Sequence, residues 1–261
     1  MLLSSVINYW NKIFLGNKPM LTLFLILMGF VCSCKKQTAT EGTPVVMYTF
    51  NGLDNGVTLA GNYSELHPIS YFRAQQIFSR NSSFATFETP AIRARYFALP
   101  DTLAKDMPVF EQNLELGKGL TYSLYMIGDK SAVDHLLVED KLKGYNPNDS
   151  VTYMRVVNIS NDQPISVNIK NDPNGNLINS LPYKGASDFL EIKADWTHPE
   201  YELEFRDAIT GELLFTHIVM EVSGPNLPVN RYLNKNWTLV FVGKRGATDA
   251  NALAVKKIEH F

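Results

Sequence analysis

Apolar and polar residues alternate along much of the chain after residue 44. Residues 201–206 read YELEFR and residues 165–170 read ISVNIK, while residues 92–96 and 122–126 follow the same period, the last of these less regularly. A period of two places one set of side chains against a core and the other in water, as in an antiparallel sheet with one solvated face. The pattern predicts strands almost throughout, and no long stretch has helical periodicity.

Turn-forming residues separate these predicted strands. Turn signals rich in Asn, Asp and Gly occur at residues 51–52, 54–56, 172–175 and 210–211. These residue types tolerate the backbone angles that tight turns require. Short strands divided by turns at this spacing are typical of a β-sandwich, so the predicted fold class is all-β with antiparallel sheets.

The chain also repeats itself. Residues 122–128 (YSLYMIG) match residues 237–243 (WTLVFVG) in pattern, and residues 92–97 match residues 201–206. The offset between matching segments grows from about 105 to about 115 residues along the chain. Repeating units of about 100 residues are close to the usual size of a domain.

The repeat predicts two tandem domains. We expect a first β-sandwich domain at residues 45–143 and a second at residues 152–261. Residues 144–151 read GYNPNDSV, which is polar and rich in turn formers, and we interpret them as the linker. Chance similarity is the alternative explanation, because alternating strands resemble one another.

An apolar segment precedes these domains. Residues 20–32 are apolar except for Thr22 and Gly29. A helix of that length reaches about 20 Å, short of the roughly 30 Å hydrocarbon core of a bilayer. The length suits the apolar region of a signal peptide, with Lys12 and Lys18 as its basic part. An uncleaved membrane anchor is the alternative, and either Met1 or Met20 can be the start.

The end of this segment resembles the lipobox of bacterial lipoproteins. Val31 and Ser33 precede Cys34, although Cys32 stands where such motifs more often carry a small residue. The resemblance implies that residues 1–33 are removed and that Cys34 carries diacylglycerol, with residues 34–44 as a polar tether. Two or three acyl chains anchor a protein durably, so we expect membrane association through Cys34.

Cysteine usage and charge then exclude several classes of function. The sequence has 2 cysteines, and neither remains as a free thiol after cleavage and lipidation. Disulfides, zinc–cysteine sites and cysteine nucleophiles are therefore not expected. The net charge is −2, and the only charged residues before Cys34 are Lys12 and Lys18. The net charge of the chain after cleavage is therefore mildly negative and gives no reason to expect nucleic acid as a partner.

No motif in the sequence names a reaction. The 5 histidines are not spaced as metal-binding pairs, and neither a Gly-x-Ser-x-Gly elbow nor a phosphate-binding glycine loop occurs. His198 lies near Asp195 and Glu200, but a solvated loop explains this group better than a metal site does. We therefore expect no metal, no cofactor and no enzymatic activity, with a hydrolase of envelope polymers as a distant alternative.

Aromatic residues in predicted loops are the better functional lead. Trp196, Tyr232 and Tyr183 lie in or beside predicted loops of the second domain, whereas Trp237 looks like a core residue. Loops held by a rigid sandwich are common binding surfaces, and exposed aromatic rings stack on sugars or anchor protein partners. These three residues are the candidate ligand contacts, with packing in the core or at its rim as the alternative.

Two short segments resemble a signal for O-glycosylation. Residues 101–103 read DTL and residues 149–151 read DSV, which match the Asp-Ser/Thr-apolar pattern of exported Bacteroidota proteins. Both lie in predicted loops that a modifying enzyme can reach. The resemblance makes Thr102 and Ser150 candidate glycosylation sites.

The second half of the chain has a characteristic series of strand and turn segments, which lie in order at residues 153–169, 181–192, 201–211 and 237–243. In this order they resemble the domain-of-unknown-function 4397 family, found in many lipoproteins of Bacteroidota and often in tandem. The first half matches more loosely, because it lacks an opening like the RVVN of residues 155–158. The resemblance implies an immunoglobulin-like or transthyretin-like sandwich in an envelope lipoprotein and carries no catalytic residue.

Together these features predict an outer-membrane lipoprotein on the periplasmic face or the cell surface. The predicted function is a non-enzymatic binding or adhesion module that contacts a glycan or an envelope protein. The alternative is a structural spacer or assembly accessory lipoprotein without a small-molecule ligand.

Overall fold

The computed structural model describes residues 43–64, 74–101, 103, 106–146, 149–160, 163–195, 197–219, 222 and 230–260. The predicted leader and Cys34 lie outside these ranges. Within the described part of the chain, no helix is long and apolar enough to cross a membrane.

The first repeat forms two sheets of four strands. Sheet A has the order β4-β1-β7-β8 and sheet B has the order β3-β2-β5-β6. A single turn of 3₁₀ helix, Asp54–Gly56, follows the first strand. The strands are β1 (Val45–Leu53), β2 (Leu59–Asn62), β3 (Gln75–Ile77), β4 (Ser82–Phe87), β5 (Ala91–Ala98), β6 (Phe110–Glu115), β7 (Thr121–Asp129) and β8 (Ala132–Glu139).

The second repeat has the same topology. Sheet C has the order β12-β9-β16-β17, with β13 also paired to β9, and sheet D has the order β11-β10-β14-β15. Together β12 and β13 take the place that β4 has in sheet A. The strands are β9 (Val151–Asn158), β10 (Ile165–Ile169), β11 (Ile178–Leu181), β12 (Gly185–Ala186), β13 (Leu190–Lys193), β14 (Tyr201–Asp207), β15 (Leu213–Val219), β16 (Asn236–Val242) and β17 (Ala254–His260).

This architecture confirms the predicted all-β sandwich class and adds a parallel pair to sheets A and C. In sheet A, β1 runs parallel to β7 with Phe50 opposite Tyr125. In sheet C, β9 runs parallel to β16 with Val157 opposite Val240. The other strand pairs are antiparallel. A two-residue period indicates that a strand has one solvated face, but it does not specify the direction of the neighbouring strand.

An asparagine at the end of the first strand is shared by the two repeats. The amide of Asn51 donates to the carbonyls of Val57 at 2.8 Å and Ile77 at 2.9 Å. The amide of Asn158 donates in the same way to Gln163 and Leu181, each at 3.2 Å. Asn51 is thus the counterpart of the Asn in the RVVN segment, which the sequence comparison of the two halves misses.

Each repeat encloses its own core between its two sheets. The core of the first repeat includes Met47, Leu59, Tyr96 and Leu124. The core of the second includes Leu203, Phe205, Leu239 and Phe241, and the Phe205 and Phe241 rings stack with centroids 5.2 Å apart. The strict alternation of β14 reflects this packing, because alternate side chains of β14 are buried and the others are half-buried.

A third buried layer joins the two repeats through the outer faces of sheets A and C. Every residue of β9 and β16 is buried, since each of these strands contacts its own core on one side and the other repeat on the opposite side. Strands buried on both faces read as continuous apolar runs rather than alternating ones. The buried members of this layer are Tyr48, Phe50, Tyr125 and Ile127 from sheet A and Val157, Ile159, Val240, Val242 and Ile258 from sheet C. The sheets are therefore stacked in the order B, A, C, D, and residues Gly42–Phe261 form one compact unit.

An ion pair lies at the centre of this junction. The guanidinium of Arg155 pairs with the carboxylate of Asp140, and the two side chains are 2% and 0% exposed. Arg155 Nε also donates to the Thr238 hydroxyl at 2.8 Å, and Nη2 donates to the Tyr125 hydroxyl at 3.2 Å. The Phe189 ring lies 4.8 Å from the guanidinium carbon. Arg155 from the second repeat is thus bound by Asp140 and Tyr125 from the first.

The connecting segment is also held by side chains of the second repeat. The Asn236 side chain accepts a hydrogen bond from Lys143 N at 2.8 Å and donates to Lys143 O at 2.9 Å. The Asn146 backbone amide donates to the Asn234 side chain at 3.3 Å. These bonds fix residues on either side of the start of the predicted linker against sheet C.

Substitution of Arg155→Met should lower the free energy of unfolding by about 3–5 kcal/mol, because it leaves the Asp140 carboxylate buried without its partner. Simultaneous replacement by Arg155→Met and Asp140→Leu should recover most of that loss, since neither charge then remains. Urea denaturation measures both effects.

Lys170→Met is the matched control, because Lys170 forms an exposed pair with Glu202 at 2.9 Å. Exposed pairs contribute little, so the denaturation midpoint of this variant should stay near that of the wild type. Equal losses for Arg155→Met and Lys170→Met would show that the buried pair has no special role.

Candidate binding groove

A groove of about 680 Å³ opens in the first repeat where β4 of sheet A ends beside β5 and β6 of sheet B. Its volume lies within the range of about 300–1,000 Å³ that is usual for ligand sites. We call it the Tyr63 groove. Its lining includes Tyr63, Phe87, Arg93, Glu111, Gln112 and Asn113.

Two aromatic rings form one wall of the Tyr63 groove. Tyr63 follows β2 and Phe87 is the last residue of β4, and their rings meet edge to face with centroids 4.9 Å apart. The Tyr63 hydroxyl lies 2.8 Å from the Tyr96 hydroxyl, which lies 2.7 Å from Thr49 Oγ1. Burial raises the pKa of Tyr63 above its ordinary value. This buried chain of hydroxyls fixes the ring in place.

The opposite wall carries polar side chains of β5 and β6. Arg93 Nε donates to Glu111 Oε1 at 2.6 Å, and Asn113 pairs with Arg93 across the two strands. Gln112 lies on the other face of β6 from Glu111 and Asn113, because it faces inward between the buried Phe110 and Leu114. Its Oε1 atom is buried and has no hydrogen-bond partner among the residues that the structure describes. Buried acceptors are normally paired, so this atom is a candidate ligand contact.

The sequence of β6 contains an indication of this site that the aromatic residues in loops do not give. β6 reads FEQNLE, with apolar residues at the first and fifth positions and Gln112 between them on the same face. A polar residue at a core-facing position of an alternating strand marks either a buried hydrogen bond or a site. Tyr63 and Phe87 carry no such signal, because each lies at a strand end.

Tyr232, predicted as an exposed ligand contact, lies instead in the core of the second repeat and is 6% exposed. Its ring centroid is 4.8 Å from that of Trp237. Lys257 Nζ donates to the Tyr232 hydroxyl at 2.7 Å and lies 4.3 Å from the Trp237 ring centroid. These contacts cover Tyr232, so the prediction of an exposed ring is wrong for this residue. Trp237 is buried, as expected.

Tyr183 is half-buried beside the junction of the two repeats. It packs against the buried layer between sheets A and C. Lys184, which pairs with Asp134 of β8, has its Nζ atom 5.9 Å from the Tyr183 ring centroid. The structure therefore places Tyr183 among contacts between the repeats and separates it from the Tyr63 groove.

Three of the predicted sites lie outside the described residues: Cys34, Thr102 and Trp196. Ser150 is described and exposed, and its backbone carbonyl accepts a hydrogen bond from Ala194 N at 2.8 Å. Its side chain is therefore accessible, and glycosylation at Ser150 stays a prediction.

The loop around His198 forms a local turn. Asp195 Oδ1 lies 3.0 Å from His198 Nδ1 and accepts from Thr197 N at 2.9 Å. Hydrogen bonds from Thr197 and His198 lower the pKa of Asp195 to about 2. The His198 ring stacks on Tyr201 with centroids 5.7 Å apart. No group of three or more residues suited to holding a metal ion occurs in the described part of the chain.

The junction contains several perturbed titratable groups, which are closed to solvent. Burial raises the pKa of Asp140 despite the neighbouring Arg155. Burial, with the added effect of the Arg155 charge, lowers the pKa of His260 to about 3. His260 Nε2 lies 2.6 Å from Thr238 Oγ1, and the side chain is fully buried. Perturbed groups of this kind often mark active sites, yet here no ligand can reach them and they support the junction.

Comparisons with known proteins add little to this geometry. No family model matches the chain, and no curated protein matches it. Among solved structures, the chain is similar to the carbohydrate-binding module CBMbc (family CBM26) from Eubacterium rectale, in complex with maltoheptaose. That match has 11% sequence identity and a TM-score of 0.25, and it covers 79% of this chain and 99% of that chain. At this TM-score the likeness carries no argument about the groove.

His260 should make the stability of the protein depend on pH. Its pKa is about 3 in the folded protein, against about 6.5 in an unfolded chain. The stabilisation is therefore fully present above about pH 6.5 and is lost as the pH falls towards 3. Between pH 7 and 5 the free energy of unfolding should fall by about 2 kcal/mol on account of this residue. Urea denaturation at both pH values measures the change.

His260→Gln should flatten this dependence, because glutamine does not titrate. His217→Gln is the control, since burial also lowers the pKa of His217 but this residue lies in β15, away from the junction. A pH dependence that is the same in wild type and His260→Gln would assign the effect to other groups.

Proposed function

We propose that this chain is a non-enzymatic binding module of an envelope lipoprotein and that the Tyr63 groove is its binding site. The observation that carries the proposal is the composition of the groove. One wall offers two fixed aromatic rings, the exposed face of β5 and β6 offers polar side chains, and the inward-facing Gln112 adds an unpaired buried oxygen. Apolar surface combined with a few placed polar groups is typical of sites that bind without chemistry.

The junction between the repeats supports this proposal. The groove lies on sheets A and B, and sheet A is held against sheet C by the buried apolar layer and the Arg155–Asp140 pair. A rigid support reduces the entropy that a site loses on binding. The second repeat therefore acts as a support for the first.

The placement of the module in the envelope rests on the sequence. The lipobox-like residues before Cys34 and the resemblance to the domain-of-unknown-function 4397 family support a lipid anchor in the outer membrane. A tether at residues 34–44 would leave the first repeat next to the membrane, because β1 begins at Val45. The partner is a glycan or an envelope protein.

A second candidate function is a structural spacer or assembly accessory. The observation that favours it is the continuous stack of four sheets, which holds two repeats in one compact unit. A spacer needs a fixed length and no ligand, so it makes no use of the groove.

Binding at the groove can be tested with two envelope fractions, purified polysaccharide and solubilised outer-membrane protein. If the proposal is correct, the detergent-solubilised mature protein should sediment with one of them. Glu111→Ala combined with Asn113→Ala should then reduce binding at least tenfold. The melting temperature should hold, because both side chains are exposed.

Glu202→Ala combined with Asn179→Ala is the matched control, since it removes the same two side-chain types from sheet D. It should bind like the wild type. A spacer would bind neither fraction, and equal losses in the two double variants would place the binding surface elsewhere.

Protease treatment of intact cells tests the location. Release of peptides from residues 145–260 without opening the outer membrane would place the repeats at the cell surface. Release only after the outer membrane is opened would place them in the periplasm, and the adhesion function would then be excluded in favour of an assembly or spacer role. Mass spectrometry of the released peptides distinguishes the two outcomes.

A further inference from the structure

The charges of the Tyr63 groove are balanced within the groove itself. Arg93 is bound to Glu111, with Nη2 and Oε1 2.5 Å apart, and both side chains are about two-fifths exposed at 43% and 37%. Glu115 also lines the groove, so the lining has two carboxylates, Glu111 and Glu115, and one cationic side chain, Arg93. A phosphate, sulfate or uronic acid would therefore meet a paired arginine and an additional carboxylate. The groove disfavours anionic ligands.

The aromatic wall suits a ligand with a small flat apolar face. Tyr63 and Phe87 are perpendicular to within 15°, with an interplanar angle of 75°, so the edge of one ring meets the face of the other. The rest of the lining is largely polar, as Thr89, Asn113 and Glu115 show. A lipid chain would leave these polar groups without hydrogen bonds. A pyranose ring has one apolar C–H face and a rim of hydroxyls, which matches both kinds of surface.

The Gln112 oxygen specifies what the ligand must provide. It is a buried acceptor with no donor among the described residues, and leaving such an atom unpaired is unfavourable. A ligand hydroxyl group can donate a hydrogen bond to this oxygen. A ligand with several hydroxyls satisfies several such groups at once.

From these three features we infer that the Tyr63 groove binds a short neutral oligosaccharide, with a sugar ring against Phe87 and Tyr63 and a hydroxyl that donates to Gln112 Oε1. This inference rests on the proposed function, because it names the ligand class of the same groove. The competing partner is a peptide that pairs with β6, which is the edge strand of sheet B. Such a peptide would use its backbone amides and need no hydroxyls.

Isothermal titration of the detergent-solubilised mature protein with four probes tests the inference. The probes are an α-1,4-glucan hexamer, a β-1,4-glucan hexamer, a galacturonic acid hexamer and hexalysine. At least one neutral hexamer should bind with a Kd below about 1 mM, which corresponds to about −4.1 kcal/mol, and the affinity should not depend on salt. The galacturonic acid hexamer should bind at least tenfold more weakly.

Gln112→Met is the sharpest variant. Methionine has nearly the same shape but no carbonyl oxygen, so saccharide affinity should fall at least tenfold. The melting temperature should stay the same or rise, because a buried unpaired acceptor is removed. Gln76→Met is the matched control on β3, the opposite edge of sheet B, and should change neither quantity.

The possible results separate the two proposals. Binding of a neutral hexamer that Gln112→Met weakens and Gln76→Met does not would support the inference. Binding of hexalysine alone, weakened by Glu111→Ala with Asn113→Ala, would overturn the saccharide assignment and keep the groove as a binding site. No binding of any probe, together with envelope-fraction binding that the groove variants leave unchanged, would overturn both.

Discussion

The ion pair between Arg155 and Asp140 lies where the two repeats meet, and the arrangement of all four sheets depends on that junction. Two charges with almost no exposure are costly to bury, so they persist only with good geometry and further hydrogen bonds around them. Tyr125 and Thr238 provide those bonds, and the surrounding apolar residues exclude water. Removal of one charge leaves the other unpaired, which makes the junction specific for one relative placement of sheets A and C.

At the junction, structurally equivalent positions of the two repeats carry different residue types. Strand register aligns Tyr48 with Arg155 and Ser123 with Thr238, because Tyr48 is opposite Ser123 and Arg155 is opposite Thr238. The same alignment sets Asp140, which follows β8, against His260 at the end of β17. The contacts run between these two pairs of equivalent residues: Arg155 pairs with Asp140, and the Tyr48 ring meets His260 with centroids 4.7 Å apart. Different residues at equivalent positions thus allow two similar sandwiches to form a dissimilar contact.

The repeats also differ in how completely the space between their two sheets is filled. In the first repeat, inward-facing Gln112 and the aromatic pair Tyr63 and Phe87 leave a groove between the sheets. In the second, Tyr232 and Lys257 contact Trp237 and complete the core. One repeat thus retains an opening, while the core of the other is closed at the corresponding end. This division of roles is consistent with a binding module in which only one of two similar domains contacts the ligand.

The sequence by itself determined the strands, their turns and the internal repeat, because the period of two and the turn-forming residues act over a few neighbouring positions. It also indicated a core role for Trp237 at the start of β16. Only the tertiary structure decided that β9 and β16 are buried on both faces, that Tyr232 is covered, and that Tyr63, Phe87 and Gln112 meet in one groove. These outcomes depend on which residues far apart in the chain come together. A local pattern specifies which side of a strand is apolar, but not what that side will contact.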